Sequence, residues 1–146
     1  MKVVSAFSGK AYFLVFGHES FGLKGVHATG LLRDYRKMPV LFSAADIYVG
    51  TATEEAFGMT LCEAAACGLP VVAFNVGGVP GVAVHNKNAI LVNDIGAEGL
   101  RKGVEVFMAD AAAREEFGRN GRAMVEEKFT LKKQGERWME YLIKLP

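Results

Sequence analysis

Cysteine is scarce in this chain, with only Cys62 and Cys67 present. A disulfide framework needs paired cysteines at bridging distance, and a zinc site needs ligands in short spaced groups. Five positions apart in a helical pattern, these two point to different faces and suit neither purpose. They read as reduced, buried, small apolar residues. Long apolar runs are also missing: none approaches the ~20 residues that span a bilayer, and the opening Met1-Lys2-Val3-Val4-Ser5 lacks a signal peptide's apolar stretch. The expectation is a cytoplasmic protein, compatible with peripheral attachment to a membrane surface. Charge of one sign is lacking too, since 17 Lys plus Arg against 16 Asp plus Glu leave a net +1. With no basic surplus there is no electrostatic footprint for nucleic acid, and 51% hydrophobic residues exclude a disordered chain.

Several catalytic signatures are absent. There is no G-x-S-x-G nucleophile elbow and no G-x-x-x-x-G-K-[ST] phosphate loop, and the stretch from Gly17 to Gly22 is not a G-x-G-x-x-G. The histidines His18, His27 and His85 have no metal-ligand spacing, and His27, inside a strand pattern, reads as structural.

What is present is one domain's worth of chain, 146 residues, with its charge unevenly placed. Between Ala64 and Asn93 the only charged residue is Lys87, whereas residues 97–146 carry ten basic and nine acidic side chains. The centre is core and the C-terminal third is amphipathic surface helix. Short apolar runs at 12–16, 26–29, 47–49 and 71–74 read as strands, most of them continuously apolar as in strands covered on both faces, with a weaker candidate at 3–7. Helical patterns occupy 36–45 and 58–67, and after Val92 only helices follow, at 98–108, 111–128 and 131–143. Gly118 and Gly121 are expected to break or bend the second of these. Alternating strand and helix predicts an α/β fold, a Rossmann-like doubly wound parallel sheet flanked by helices, with a helical C-terminal third.

In open α/β sheets ligands bind beyond the carboxyl ends of the strands, which directs attention to the loops after Val49 and Phe74. The first runs into a helix starting near Phe57 or Gly58. A helix start offers unpaired amides and partial positive charge, and Gly58 permits close approach, so an anion such as phosphate is expected there. Glu55 reads either as a loop or helix-start acid complementing the dipole, or as a ligand contact. Glu63 stands among Leu61, Cys62 and Ala64 to Ala66, where a carboxylate is costly unless satisfied. It pairs either within the protein or with ligand hydroxyls. Gly77 and Gly78 form either a plain turn or a backbone approach to a ligand.

The segment 43–49 (SAADIYV), the E-x7-E pair Glu55 and Glu63, the A-x-G-x-P-V-V of residues 66–72, Gly77-Gly78-Val79-Pro80, an N-x-x-L-V at 88–92 and Phe129-Thr130 opening the last helix go together. Over roughly 16–141 the chain resembles the donor half of group 1 glycosyltransferases, glycosyltransferase family 4. The resemblance implies the second Rossmann-like domain of a GT-B enzyme, binding a UDP- or GDP-sugar for retaining transfer to a glycan or lipid-linked acceptor, as in polysaccharide biosynthesis. It implies that Glu63 holds the ribose hydroxyls and that Glu55 contacts the donor sugar near the reacting centre. The backbone of Phe57, Gly58, Met59 and Thr60, with Gly77 and Gly78, would hold the diphosphate or sugar hydroxyls. No cofactor and no metal are implied, because amides, the helix dipole and basic side chains stabilise the leaving diphosphate.

Departures accompany the match. The family's opening strand with its diphosphate-binding Arg and Lys has no counterpart; Lys24-Gly25 follows the 12–16 run instead of preceding it. Gly81 stands where an acid is usual, Ala89 where Gly is common, and Glu54 is a neighbour to the first signature acid. Residues 1–146 therefore read as a single, N-terminally truncated donor domain without its acceptor domain, inactive or weak alone and calling for a separate acceptor-binding domain or subunit. A degenerate, non-catalytic GT-B module acting in subunit interaction is the alternative, and a sugar-nucleotide epimerase of the same architecture a further one. The apolar residues Trp138, Tyr141 and Leu142 of the last helix are expected to be partly exposed.

Overall fold

The computed structural model describes residues 2–17 and 22–145; His18 and its neighbours to Phe21 lie outside the described residues. In chain order come α1 (Lys2–Ala6), β1 (Phe13–Val15), β2 (Val26–Ala28), a 3-10 turn (Tyr35–Lys37), α2 (Met38–Ser43), β3 (Tyr48–Gly50), α3 (Met59–Ala66), β4 (Val71–Phe74), α4 (Val79–Val82), β5 (Ala89–Val92), α5 (Ala97–Ala109), α6 (Ala111–Lys128) and α7 (Leu131–Ile143). All strand pairing is parallel, and the strands form two ladders, β1-β2 and β3-β4-β5.

The centre of the fold is β4. Its four residues are all buried, and the alternation of a strand sends them to opposite sides. Val71 and Ala73 pack with Leu61 and Cys62 of α3 and Val82 of α4. Val72 and Phe74 pack with Leu100, Val104 and Phe107 of α5. Helices on both faces explain why this run is apolar throughout. Each large side chain fully buried here contributes about 1.5–3 kcal/mol. A third cluster, Met38, Phe42, Ala64 and Leu69, fastens α2 to the outer side of α3.

The fold class is as the sequence indicates, with three differences of detail. The run at 3–7 is helical: α1 covers most of it, and Phe7 alone is buried, against the α5 cluster. The segment 89–92 is a strand, β5, where the sequence reading placed none. Its four residues are too few to show a period, and they gain strand structure by pairing with β4. The helix α6 runs unbroken through Gly118 and Gly121, which are both buried. A Cβ at Gly118 would lie 2.0 Å from the Gly68 carbonyl oxygen, so this glycine admits the turn after α3 rather than bending its own helix.

The helix α7 starts on Thr130, whose hydroxyl accepts from the Lys133 amide at 3.3 Å. None of its residues is buried, and Trp138, Tyr141 and Leu142 are exposed as expected. Among the described residues, no helix is long and apolar enough to cross a membrane. Cys62 is buried and Cys67 half-buried, both free, and burial pushes both thiols above their ordinary pKa.

Candidate functional site

The carboxyl ends of β3 and β4 open onto two loops that cross each other. The loop after β3 passes through Glu55 to Gly58, which caps α3 in the left-handed region at φ 92°. That conformation favours glycine, and it turns the chain into a helix whose first amides face outward. The Glu55 carboxylate folds back on this start: its Oε1 accepts from the Gly58 amide at 2.9 Å and the Phe57 amide at 3.3 Å. An acid at a helix N-terminus gains from both the amides and the dipole.

The loop after β4 lies across it. The Gly78 amide donates to the Glu55 carbonyl at 2.7 Å, and Gly77 sits at φ 49°. A Cβ on Gly77 would stand 2.0 Å from the Glu55 carbonyl oxygen, and one on Gly78 would stand 2.1 Å from that of Ala56. The glycine pair thus serves the approach of one loop backbone to another. Next to it, Asn75 donates through Nδ2 to Asn93 Oδ1 at 2.8 Å, tying the end of β4 to the end of β5.

Glu63 projects from α3 beyond Gly58. Its Oε1 accepts a hydrogen bond from the Tyr35 hydroxyl, while Oε2 is shielded from solvent and has no protein partner. Burial raises its carboxyl pKa above the ordinary value. A carboxylate half satisfied in an apolar helix is an arrangement that a ligand donor would complete. Tyr35 went unnoticed in the sequence, where nothing connects it to a residue on a distant helix.

The other candidates spread around the α3 start. The Thr60 hydroxyl is 2.9 Å from that of Tyr48 on β3, whose phenol is pushed up by burial. Phe57 packs edge-on against Phe129, ring centroids 5.6 Å apart, which fixes the loop to the junction of α6 and α7. Met59, the first residue of α3, is exposed. Glu54 is exposed and has no hydrogen bond or ion pair to the rest of the site. His85 is structural, its Nδ1 accepting from the Leu91 amide at 3.0 Å. Among the described residues, no group of three or more His, Cys, Asp or Glu side chains can hold a metal ion.

The fold and this site define a parallel α/β domain with two acids and a glycine-lined loop crossing at the carboxyl edge of its sheet. The sequence pattern described as glycosyl transferases group 1 matches residues 14–124, and the chain belongs to that family. It is similar to a D-inositol 3-phosphate glycosyltransferase of Pseudarthrobacter chlorophenolicus, 38% identical over 78 residues, 53% of this chain and 19% of that protein. It is also similar to a trehalose synthase of Thermococcus litoralis, 30% identical over 120 residues, 82% of this chain and 27% of that protein. The fold matches HepE of Anabaena, solved in complex with UDP and glucose, with a TM-score of 0.85 at 22% identity. That match covers 99% of this chain and 43% of HepE. The C-terminal domain of LpcC, a group 1 family protein of Francisella tularensis, matches at 26% identity with a TM-score of 0.67, covering 74% of this chain and 55% of that one. The chain spans 19% of the first of these curated relatives and 27% of the second.

Proposed function

We propose that this chain is the donor-binding unit of a retaining, metal-independent glycosyltransferase, holding a UDP- or GDP-sugar at the crossing of the two loops. The observation that carries this reading is Glu63: a carboxylate on an apolar helix with one oxygen shielded and unpartnered, beside a helix start rich in amides. In this reading the ribose hydroxyls donate to Glu63 and displace the Tyr35 hydroxyl from Oε1. The diphosphate takes the Phe57 and Gly58 amides that Glu55 now occupies, with the backbone of Met59 and Thr60 and the Gly77-Gly78 loop alongside. Glu55, released, turns to the donor sugar near its anomeric carbon. As the bond from that carbon to the leaving phosphate oxygen breaks, positive charge develops on the sugar and a nearby carboxylate stabilises it. The acceptor hydroxyl forms the new bond to the anomeric carbon and passes its proton to the departing phosphate oxygen, which carries away the electron pair of the broken bond as the nucleoside diphosphate leaves.

That chemistry needs the acceptor held against the donor, so this donor domain is proposed to work with an acceptor-binding domain or subunit. The acceptor is proposed to be a glycan or a lipid-linked glycan, reached in the cytoplasm or at a membrane surface. A non-catalytic module is the second reading, favoured by the internal contacts that occupy both acids, Glu55 on its own amides and Glu63 on Tyr35. Titration calorimetry with a panel of UDP- and GDP-sugars separates the two. Binding lost in Glu63→Ala is expected for a donor site; no binding of any member at millimolar concentration would favour the module.

A further inference from the structure

Tyr48 carries its hydroxyl from the sheet to the start of α3. Alternation along β3 puts residues 48 and 50 on one face, and a Cβ at Gly50 would stand 3.5 Å from the Tyr48 Cε1 and 3.1 Å from the Ala73 Cβ. The glycine thus leaves the ring its room. Phe42 of α2 meets the same ring edge-on, with centroids 6.0 Å apart and planes at 72°. Held by these neighbours, the phenol oxygen comes to 2.9 Å from Thr60 Oγ1. Thr60 is the second residue of α3, and among the described residues each of the two hydroxyls has the other as its side-chain partner. Both side chains are half-buried and line the cavity that Glu55 and Gly58 also line, so the pair stands beside the crossing of the two loops.

The direction of this hydrogen bond decides what Thr60 can offer. A phenol is a stronger acid than an aliphatic alcohol and so the better donor of the two. Burial, with the Glu55 charge adding to it, pushes the Tyr48 pKa above its ordinary value, so the phenol keeps its proton at neutral pH. With Tyr48 donating, Thr60 Oγ1 accepts and its own O–H is left to point elsewhere. The opposite direction would leave Thr60 only lone pairs to offer, which an acceptor-only phosphate oxygen cannot use.

We propose that Tyr48 is a positioning residue of the donor site: by donating to Thr60 Oγ1 it turns the Thr60 hydroxyl proton to a phosphate oxygen of the nucleoside diphosphate. This rests on the donor-site reading above and adds a side-chain donor to the backbone amides at the α3 start. The phosphate charge strengthens the bond from Thr60, and two hydrogen bonds in series polarise one another in a half-buried site. Tyr48 itself touches no ligand atom. Its effect passes through Thr60.

The test titrates the 146-residue chain with UDP, or with GDP where that binds tighter, and with the matching nucleoside, which lacks the phosphates, following amide resonances. Tyr48→Phe, which keeps the ring against Phe42, is expected to weaken the diphosphate about five-fold, and Thr60→Val about ten-fold. Because the phenol acts through the hydroxyl, the double variant should be no weaker than Thr60→Val alone. Thr60→Ser, which restores the hydroxyl, should bind as the native chain does. Nucleoside affinity should stay within about two-fold across the set, whereas a displaced helix start would weaken nucleoside and diphosphate alike. Full diphosphate affinity in Tyr48→Phe, losses that add in the double variant, or parallel losses with the nucleoside would overturn the role of Tyr48 and leave the donor site standing. A native chain in which neither UDP nor GDP moves any resonance would remove the donor site itself, and the role of Tyr48 with it.

Discussion

The strands β4 and β1 have nearly the same sequence character and opposite fates. Both lie in continuous apolar runs, yet Val71 to Phe74 are at most 5% exposed, while Leu14 of β1 is 36% exposed and Tyr12, just before the strand, 95%. The difference is in their neighbours. β4 has a strand on each side and a helix on each face, whereas among the described residues β1 has a strand on one side only. An apolar run reports the capacity to be buried, not that burial is complete. The same contrast separates α6, which buries Gly118 and Gly121 against α3 and the turn that follows it, from α7, which buries nothing.

The largest effect that tests this contrast is Phe107→Ala. Phe107 is fully buried on the α5 side of β4, and its loss should cost about 3–5 kcal/mol by urea denaturation, while Leu14→Ala should cost under about 1 kcal/mol. Equal costs would mean that the two ladders are equally complete. Next comes Gly78→Ala, whose Cβ would meet the Ala56 carbonyl oxygen at 2.1 Å. Pushing the two loops apart should cost about 1–3 kcal/mol in the same assay and weaken nucleotide binding with it.

Smaller changes probe the acids. Tyr35→Phe removes the donor to Glu63 and should lower stability by about 0.5–1.5 kcal/mol while raising UDP affinity a few-fold, because the ribose no longer displaces a protein partner. On the uncovered helix, Gly135 has open space around its Cβ position, and Gly135→Ala should raise stability by about 1 kcal/mol at most. The smallest effect is the pH dependence of Glu63. Its folded pKa lies above its unfolded value, so the folded state retains the proton longer. The stability this contributes is complete below the unfolded pKa and is lost as pH rises through the folded one. Glu63→Gln should match the native chain in strong acid and exceed it slightly at neutral pH, a difference that solvent screening keeps small.

Much of this was legible in the residues. The continuous apolar run at 71–74 marked a strand with two covered faces, and the change to mixed charge after Val92 marked the surface helices. Glu63 stood out because a carboxylate is costly in apolar company, and Glu55 and Gly58 because a loop turned into a helix there. Other features depend on partners distant in the chain. β5 is a strand by virtue of pairing with β4, and residues 3–6 lie in a helix despite their apolar content. The glycine pair had two readings, a turn or a ligand approach, and its observed contact is a third: the backbone of residues 55–57. Tyr35 could not be linked to Glu63 by spacing, since they are brought together only by the packing of α2 on α3.

If the crossing of the two loops holds a nucleotide-sugar, titrating the 146-residue chain with UDP should move its amide resonances saturably at Phe57, Gly58, Glu63 and Gly78, and Glu63→Ala should abolish these shifts. Saturable shifts elsewhere with these four amides unmoved, or no shifts with either UDP or GDP up to millimolar concentration, would contradict it.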